Sequence, residues 1–378
     1  MKTVLHITAD FPDAIQPRKT PAIARLVEEA PGYRHVIYSL NRFDGLNGIE
    51  SIDFGQDKIA VAYAAPPRGV LLATRLRSVA RWIEDDLRRR NIAPDLVHAH
   101  KLTIEGLIAL HLHERLPSPI ITNIQGDTDC KVARWRPDLR PAFRRVAETS
   151  IRILPFSPWN VSAMADVLRA SAQRCVLLPV IPHIDDLIAS LSTSNRIASV
   201  FHLDSWHRKG ADTLARAAHQ LRELVPDLEV HIFGGGGANA VRQLVHEVKR
   251  AGASEVVRLM GPLHPQEIQA RLTDYAGLAM PSRRESFGLV YVEALFSGIP
   301  VLWSRGRGID GYLPSDAIGY ACDSASDADV AAGMLHILRH QTALKSKIAA
   351  MQRGGQLDLF RRATIGATYR GVLHSVLS

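Results

Sequence analysis

At 378 residues, 46% of them hydrophobic and 22% charged, the chain carries enough apolar material for two domain-sized cores and lacks the polar low-complexity tracts of a disordered protein. Forty-six Lys and Arg against 38 Asp and Glu give a formal charge of +8, which favours anionic partners without choosing among a phosphorylated substrate, lipid headgroups and nucleic acid. Aromatic residues at 6%, none interleaved in a basic run, argue against a nucleic-acid stacking platform.

The amino terminus reaches Asp10 and Pro12 too early for a signal-peptide core, and no apolar run approaches the ~18 residues of a membrane span, so a cytoplasmic chain is expected. Cys130, Cys175 and Cys322 are odd in number and scattered, which suggests reduced thiols rather than a disulfide framework or a zinc cluster. TVLHITA (3–9) reads as a buried strand ending in a loop at Asp10. TPAIARLVEEA (20–30) has helical periodicity, HVIYSL (35–40) is a strand, and the basic segment from Leu71 to Asn91 is a helix. A strand follows at DLVHAH (95–100), a helix at 102–116, a strand at PIITNIQGD (119–127), a basic helix at 134–148 and a strand at RCVLLPV (174–180). The polar, proline-bearing stretch that follows reads as a linker. The basic helices, with arginines alternating with carboxylates, read first as solvated faces and second as membrane-surface contacts.

From Ala198 strands and helices alternate again, through LEVHIFGGGG, VVRLMG, YAGLAMPS and PVLWS. Alternation of this kind builds parallel sheets covered on both faces. The predicted fold class is therefore α/β, with two Rossmann-like doubly wound domains facing a cleft: residues 1–180, joined by 360–378 as a terminal helix crossing back, and residues 196–359. Ligands of such sheets bind at the carboxyl ends of the strands.

PSRRESFGLVYVEALFSGIPV (281–301) places Glu285 in a polar loop after one such strand and Glu293 inside the following helix. With a helix beginning near Ser286 or Phe287, Glu293 sits about five residues inside it, ~7.5 Å along the axis from the first turn. Free amides at that helix start accept anions, and Gly288 allows close approach. Carboxylate, amides, carboxylate suits a sugar nucleotide: a carboxylate grips vicinal hydroxyls at each end and the amides take the phosphates between.

The same segment resembles the signature of the family 4 glycosyltransferases, retaining enzymes of the GT-B fold, in its Pro-Ser, Glu-x-Phe-Gly, Glu-Ala-Leu and Gly-x-Pro-Val elements. The resemblance implies that Glu285 meets the donor sugar and Glu293 the ribose, with Ser286, Phe287, Gly288 and Leu289 around the phosphates. FHLDSWHRKGADTLARAA (201–218) resembles the stretch that opens the family's second domain and implies that Lys209 reaches the diphosphate, where a cation stabilises departing phosphate. VVRLMGPL implies backbone contacts to the base from Gly261 to Leu263. The family's arginine position is held by His202, with Arg208 available to compensate. The first-domain loop lacks the family's paired glycines, so Arg18 and Lys19 become the phosphate or acceptor candidates there. Gln125 stands where the family often has histidine, and glutamine cannot act as a base. Asp127 and His100 are further acceptor candidates.

The implied activity is transfer of a sugar from a nucleoside diphosphate sugar to a hydroxyl acceptor, with no metal and no cofactor beyond the donor. The expected setting is polysaccharide or lipid-linked glycan assembly by a peripheral protein at the inner face of the membrane. Sugar-nucleotide epimerases of the same architecture are the alternative. Two His-x-His pairs, His98 with His100 and His111 with His113, invite a metal reading; alternation puts the first pair on one strand face, whereas a helix splays the second. The GGGG run at 234–237 lacks a dinucleotide fingerprint's context and reads as a tight turn near the donor.

Overall fold

Thirteen strands form two separate sheets in the structure, a computed structural model that describes residues 1–45 and 48–378. The amino-terminal part contains β1 (Thr3–Thr8), α1 (Ala22–Glu28), β2 (Arg34–Phe43), β3 (Ile49–Gly55), β4 (Lys58–Ala64), α2 (Leu72–Arg89), β5 (Leu96–Ala99) and α3 (Glu105–His113). It continues through β6 (Ile120–Ile124), α4 (Asp127–Trp135), α5 (Arg140–Thr149), β7 (Ser150–Pro155), α6 (Pro158–Ala163) and α7 (Ala165–Leu168). The remainder comprises β8 (Arg196–Val200), α8 (Ala211–Leu221), β9 (Glu229–Phe233), α9 (Ala238–Arg250), β10 (Val257–Gly261), α10 (Pro265–Leu272) and β11 (Gly277–Ala279). After these come α11 (Leu289–Phe296), β12 (Val301–Ser304), α12 (Ser315–Ile318), β13 (Gly319–Cys322), α13 (Asp327–Arg353) and α14 (Arg362–Leu377). Two compact units result, one of residues 1–156, 160–181 and 363–378, the other of 157–159 and 182–362.

In the first unit the sheet order is β3-β4-β2-β1-β5-β6-β7. Only the β3–β4 pair is antiparallel. Side chains alternate faces along each strand, and the two faces have separate cores. Leu5, Ile7, Val97, Ala99, Ile120 and Ile124 pack under α2, α3 and α5. Val4, Leu96 and Ile121 pack with Leu26 and Ala30 beside Ile365, Tyr369 and Leu373 of α14.

The second unit orders its strands β10-β9-β8-β11-β12-β13, all parallel. Numbered from its own first strand this is 3-2-1-4-5-6, the doubly wound order. The direction of winding reverses between β8 and β11, the switch point at which open sheets of this kind bind their ligands.

Several sequence expectations need correction. No strand forms at 174–180: Cys175 makes one bridge to Ile153 and the chain then runs extended past Pro179 and Pro182, which have no N–H for a ladder. The basic stretch at 134–148 is broken at Arg136 into α4 and α5, because Pro137 and Pro141 each fit only a first helical turn. Asp127 opens α4 rather than closing a strand. The β3–β4 hairpin was not foreseen; β3 is exposed along most of its length and shows no apolar face to detect.

Candidate functional site

The second unit's loops after β8, β9, β10 and β11 are tied to one another at the carboxyl edge of the sheet. Leu203 N donates to Gly235 O at 2.8 Å, Gly234 N to Gly261 O at 2.9 Å, and Gly237 N to the Asp204 carboxylate at 2.8 Å. The GGGG run is thus a close-packed turn: a Cβ on Gly236 would sit 2.7 Å from that of Leu203. Arg283 joins the β8 and β11 loops. Its guanidinium grips Asp212 at 2.6 and 2.8 Å and also reaches His207 O and Thr213 Oγ1. Burial pushes the Asp212 carboxyl up, and the Arg283 fork more than reverses this, holding it below the usual carboxylate range.

That framework brings Lys209 and Glu285, 76 residues apart, into contact: Lys209 Nζ donates to Glu285 Oε2 at 2.5 Å. Both side chains are largely buried, and Ser282 Oγ lies 3.3 Å from the same carboxylate oxygen. Lys209 follows β8 and Glu285 follows β11, so the pair stands at the switch point of the winding. Tyr291 lies behind it. Its hydroxyl donates to Met280 O at 2.6 Å, and burial together with the Glu285 charge raises its pKa well above the ordinary value.

α11 begins at Leu289, not at Ser286 or Phe287, so Glu293 is four residues into the helix, ~6 Å along its axis. Its side chain is 6% exposed. The delayed start follows from Gly288, whose φ of +77° lies in the left-handed region. A Cβ there would meet the Tyr291 ring at 2.5 Å and Glu285 Cγ at 3.2 Å, so this glycine makes room for the site's own side chains as well as for a ligand. Phe287 is buried edge-on against Tyr312 and Phe360, which leaves only its backbone for a phosphate. Ser286 and Leu289 are partly exposed at the helix start. His202 is exposed, 3.6 Å from Asp204, and Arg208 is exposed with one contact to Ser205 Oγ at 3.3 Å. Gly261 (φ +80°) has nothing within 4 Å of its Cβ position, and Leu263 is half-buried beside it. Beside these loops a cavity of 360 Å³ lies among Arg283, Arg305, Arg307 and Asp323. The sequence reading missed the Arg283–Asp212 clamp and Arg305 and Arg307; the adjacent arginines in PSRRE were the available signal.

The first unit has its own cluster where its winding reverses, between β1 and β5. Lys101 lies against Asp10 and, at 3.4 Å, Glu105, whose Oε1 also accepts from Ala9 N at 2.9 Å. Burial raises Glu105 to about 7. Asp129 receives the backbone N–H groups of Thr103 and Gln125 at 3.0 Å. Gln125 is buried with its Nε2 unpartnered, and Asp127 is half-exposed at the start of α4. Arg18 is exposed. Lys19 does not present its charge to a ligand here: its three N–H bonds go to Asp13 at 2.8 Å, Ser39 Oγ at 3.0 Å and Leu40 O at 3.0 Å. Burial pushes Asp13 up, but Lys19, Ser39 and Asn41 together bring it down to about 2.

His100 belongs to a buried chain of imidazoles that the sequence did not connect. His35 Nε2 donates to Ala30 O at 2.7 Å, which leaves its Nδ1 as an acceptor for His6 Nε2 at 2.9 Å. His6 Nδ1 then accepts from His100 Nε2 at 2.9 Å, and His100 Nδ1 is buried without a partner. The His98 ring lies 3.9 Å from that of His100, tilted by 32°, and its nitrogens hold Asn123 and the Tyr369 hydroxyl. Ligand atoms of His6, His98 and His100 lie within 4.8 Å of one another, close enough to suggest a cation. The hydrogen bonds that occupy both nitrogens of His6 and of His98 leave no three lone pairs converging on a point.

All four histidines are held neutral. Burial lowers each, His98 to about 3, and neighbouring imidazoles lower His6 and His100 further. Below about pH 6.5 the unfolded chain takes up protons that the folded one refuses. Stability is therefore complete above that pH and falls as pH drops. Glu105, raised in the fold, opposes one of these between about 4.5 and 7. Urea melts at pH 7.5, 6 and 5 should show the first unit weakening steeply, and a flat profile would contradict the neutral chain.

Two α/β units of doubly wound order, one with a lysine–glutamate pair at its switch point, define a GT-B architecture. Residues 189–353 match the family model of glycosyl transferases group 1. A D-inositol 3-phosphate glycosyltransferase of Corynebacterium aurimucosum is 38% identical over 134 residues, 34% of this chain and 32% of that protein's length. The chain thus aligns with about a third of this relative. Among solved structures, sucrose-phosphate synthase from Thermosynechococcus elongatus superposes with a TM-score of 0.74 at 16% identity, covering 99% of both chains. Anabaena HepE in complex with UDP and glucose gives 0.66 at 15%, covering 99% of this chain and 100% of that one. At these identities the structural matches establish the fold.

Proposed function

We propose that the protein is a retaining glycosyltransferase that moves a sugar from a nucleoside diphosphate to a hydroxyl acceptor. The observation that carries this reading is the Lys209–Glu285 contact at the switch point of the second sheet. In the free protein each charge neutralises the other. A donor replaces that contact with two better ones: the diphosphate takes Lys209, and the sugar hydroxyls take the Glu285 carboxylate. Glu293 holds the ribose diol, and the amides at the start of α11 face the phosphates.

In the reaction the bond from the anomeric carbon to the diphosphate oxygen breaks with its electron pair going to phosphate. The acceptor oxygen bonds to that carbon on the same face, and its proton passes to the departing phosphate oxygen. Lys209 and Arg208 stabilise the charge that gathers there. The products are a nucleoside diphosphate and an α- or β-linked glycoside of unchanged anomeric configuration.

UDP is the first donor base to test, because a neighbour of this fold holds UDP and glucose. A polyol or sugar phosphate is the first acceptor class, since the relative named above acts on inositol 3-phosphate. Arg18 and the first unit's edge at His100, Gln125 and Asp127 are its binding candidates. Glycan or glycolipid assembly beside a membrane is the proposed setting. The relatives named are transferases, and the epimerase alternative is set aside.

A thermal-shift screen of UDP, GDP and ADP and their sugars tests the donor site, since a ligand at 100 times its Kd stabilises by about 2.7 kcal/mol. One base should raise the Tm clearly, and Glu293→Ala should remove most of that shift. Equal response to all three bases, or none, would count against the assigned site.

A further inference from the structure

The first unit carries an exposed apolar apex that the proposed reaction does not use. Trp135, the last residue of α4, is 72% exposed; Val70 and Leu71, just before α2, are 58% and 52% exposed. Sequence separates them, and Arg136 joins them: its guanidinium donates to Gly69 O on one side and holds Asp138 on the other at 2.6 and 2.8 Å. Leu71 also has a φ of +56°, a left-handed conformation that glycine or asparagine would adopt at less cost. A strained leucine with its side chain in water is an expense that packing does not explain.

Beside this apex a groove of 580 Å³ runs between α2, α3 and α5. Four arginines line it. Arg115 pairs with Glu84 at 3.2 Å and Arg145 with Glu114 at 3.1 Å, while Arg77 and Arg81 are exposed and have no ion-pair partner among the described residues. Burial first, and then the charge of Arg77, lowers His111 in the same groove, so the groove's unbalanced charge is positive.

We propose that the apex and groove together form the face by which this protein docks on an anionic lipid bilayer. Trp135, Val70 and Leu71 enter the boundary between headgroups and acyl chains, where an indole satisfies both its ring and its N–H. Arg77 and Arg81 receive lipid phosphates. The association is peripheral: no described helix is long and apolar enough to cross a membrane. A bilayer fits better than an acidic protein because exposed Trp135, Val70 and Leu71 beside arginines without ion-pair partners among the described residues combine the apolar and cationic groups that an anionic headgroup boundary receives. The proposal deepens the membrane setting given above and rests on it, but its test needs no turnover.

The full chain is sedimented with phosphatidylcholine vesicles, alone or with phosphatidylglycerol at about one part in three. Binding to the anionic vesicles and weak binding to the neutral ones is the expected result. The combined variant Val70→Ser, Leu71→Gly, Trp135→Ser should lower anionic-vesicle partitioning at least tenfold, and Leu71→Gly relieves strain, so folding is preserved. Arg77→Ser with Arg81→Ser should lose about 30-fold, at roughly fivefold per cation, and make the two vesicle types equivalent. Leu191→Ser with Leu224→Ser, exposed positions of the second unit, should change nothing. No sedimentation, equal losses in the control, or a dimer in light scattering that the triple variant abolishes would each overturn the proposal. Sedimentation unaffected by a donor-site variant such as Glu285→Gln keeps this result separate from the fate of the transferase reading.

Discussion

Glu285→Gln is expected to lower the rate of sugar transfer by about 10²–10³-fold, the range for losing one preorganised electrostatic contact, while nucleoside diphosphate binds as tightly as before or more tightly. The reason lies in the free protein, where Lys209 is held by Glu285 at 2.5 Å. An incoming diphosphate must take the ammonium from that carboxylate. Glutamine keeps the side chain's volume and hydrogen-bonding reach but removes the competing charge, so Lys209 becomes easier to recruit. The sugar hydroxyls meanwhile lose a charged acceptor and the developing positive charge at the anomeric carbon loses its neighbour. Calorimetric titration with the diphosphate beside steady-state rates separates the two effects. Parallel loss of affinity and rate would mean that Glu285 serves only to shape the loop.

Gly210→Ala should damage the loops that carry Lys209 and Glu285. Gly210 has a φ of +73°, and an added Cβ would lie 2.1 Å from Pro281 O and 2.9 Å from its carbonyl carbon. Both obstacles are backbone and neither can swing aside. The loops carrying Lys209 and Glu285 would have to separate, breaking the Arg283 N to Arg208 O bond of 2.9 Å between them. A cost of about 2–4 kcal/mol is expected from left-handed strain and overpacking, or roughly 5–15 °C in Tm for a unit of this size. Transfer should fall further than stability predicts. Gly261→Ala is the matched control: its φ is +80°, but nothing lies within 4 Å, so only the conformational cost of about 1–2 kcal/mol applies. Similar losses in both variants would show that the close approach at Pro281 is not what holds the site.

The second unit was legible because its strands are short β-branched or apolar runs with polar stops, and the motif residues sit at those stops. Glu285 could be placed after a strand from YAGLAMPS alone, although only Gly277–Ala279 is strand. Its pairing with Lys209 could not be placed, because neither residue's spacing refers to the other; strand order brings them together. The helix start was misread by two or three residues since Ser286 and Phe287 are compatible with a first turn, and the left-handed Gly288 that prevents it is not visible in a pattern of hydrophobicity. In the first unit, His98 and His100 were recognised as sharing a face. His6 and His35 escaped notice because each is a single polar residue inside an apolar strand, and their link runs across three strands. Lys19 looked like a free loop cation; its neutralisation by Asp13 depends on Ser39 and Leu40, residues that a local reading cannot bring near it.

The docking of α14 on the first sheet, through Ile365, Tyr369 and Leu373 and the Tyr369 hydroxyl on His98, has a consequence for biosynthesis. The first unit lacks a wall until residues 363–378 have been translated, whereas almost the whole of the second, 182–362, is continuous and precedes them. Nascent protein should therefore acquire protease resistance in the order opposite to its translation.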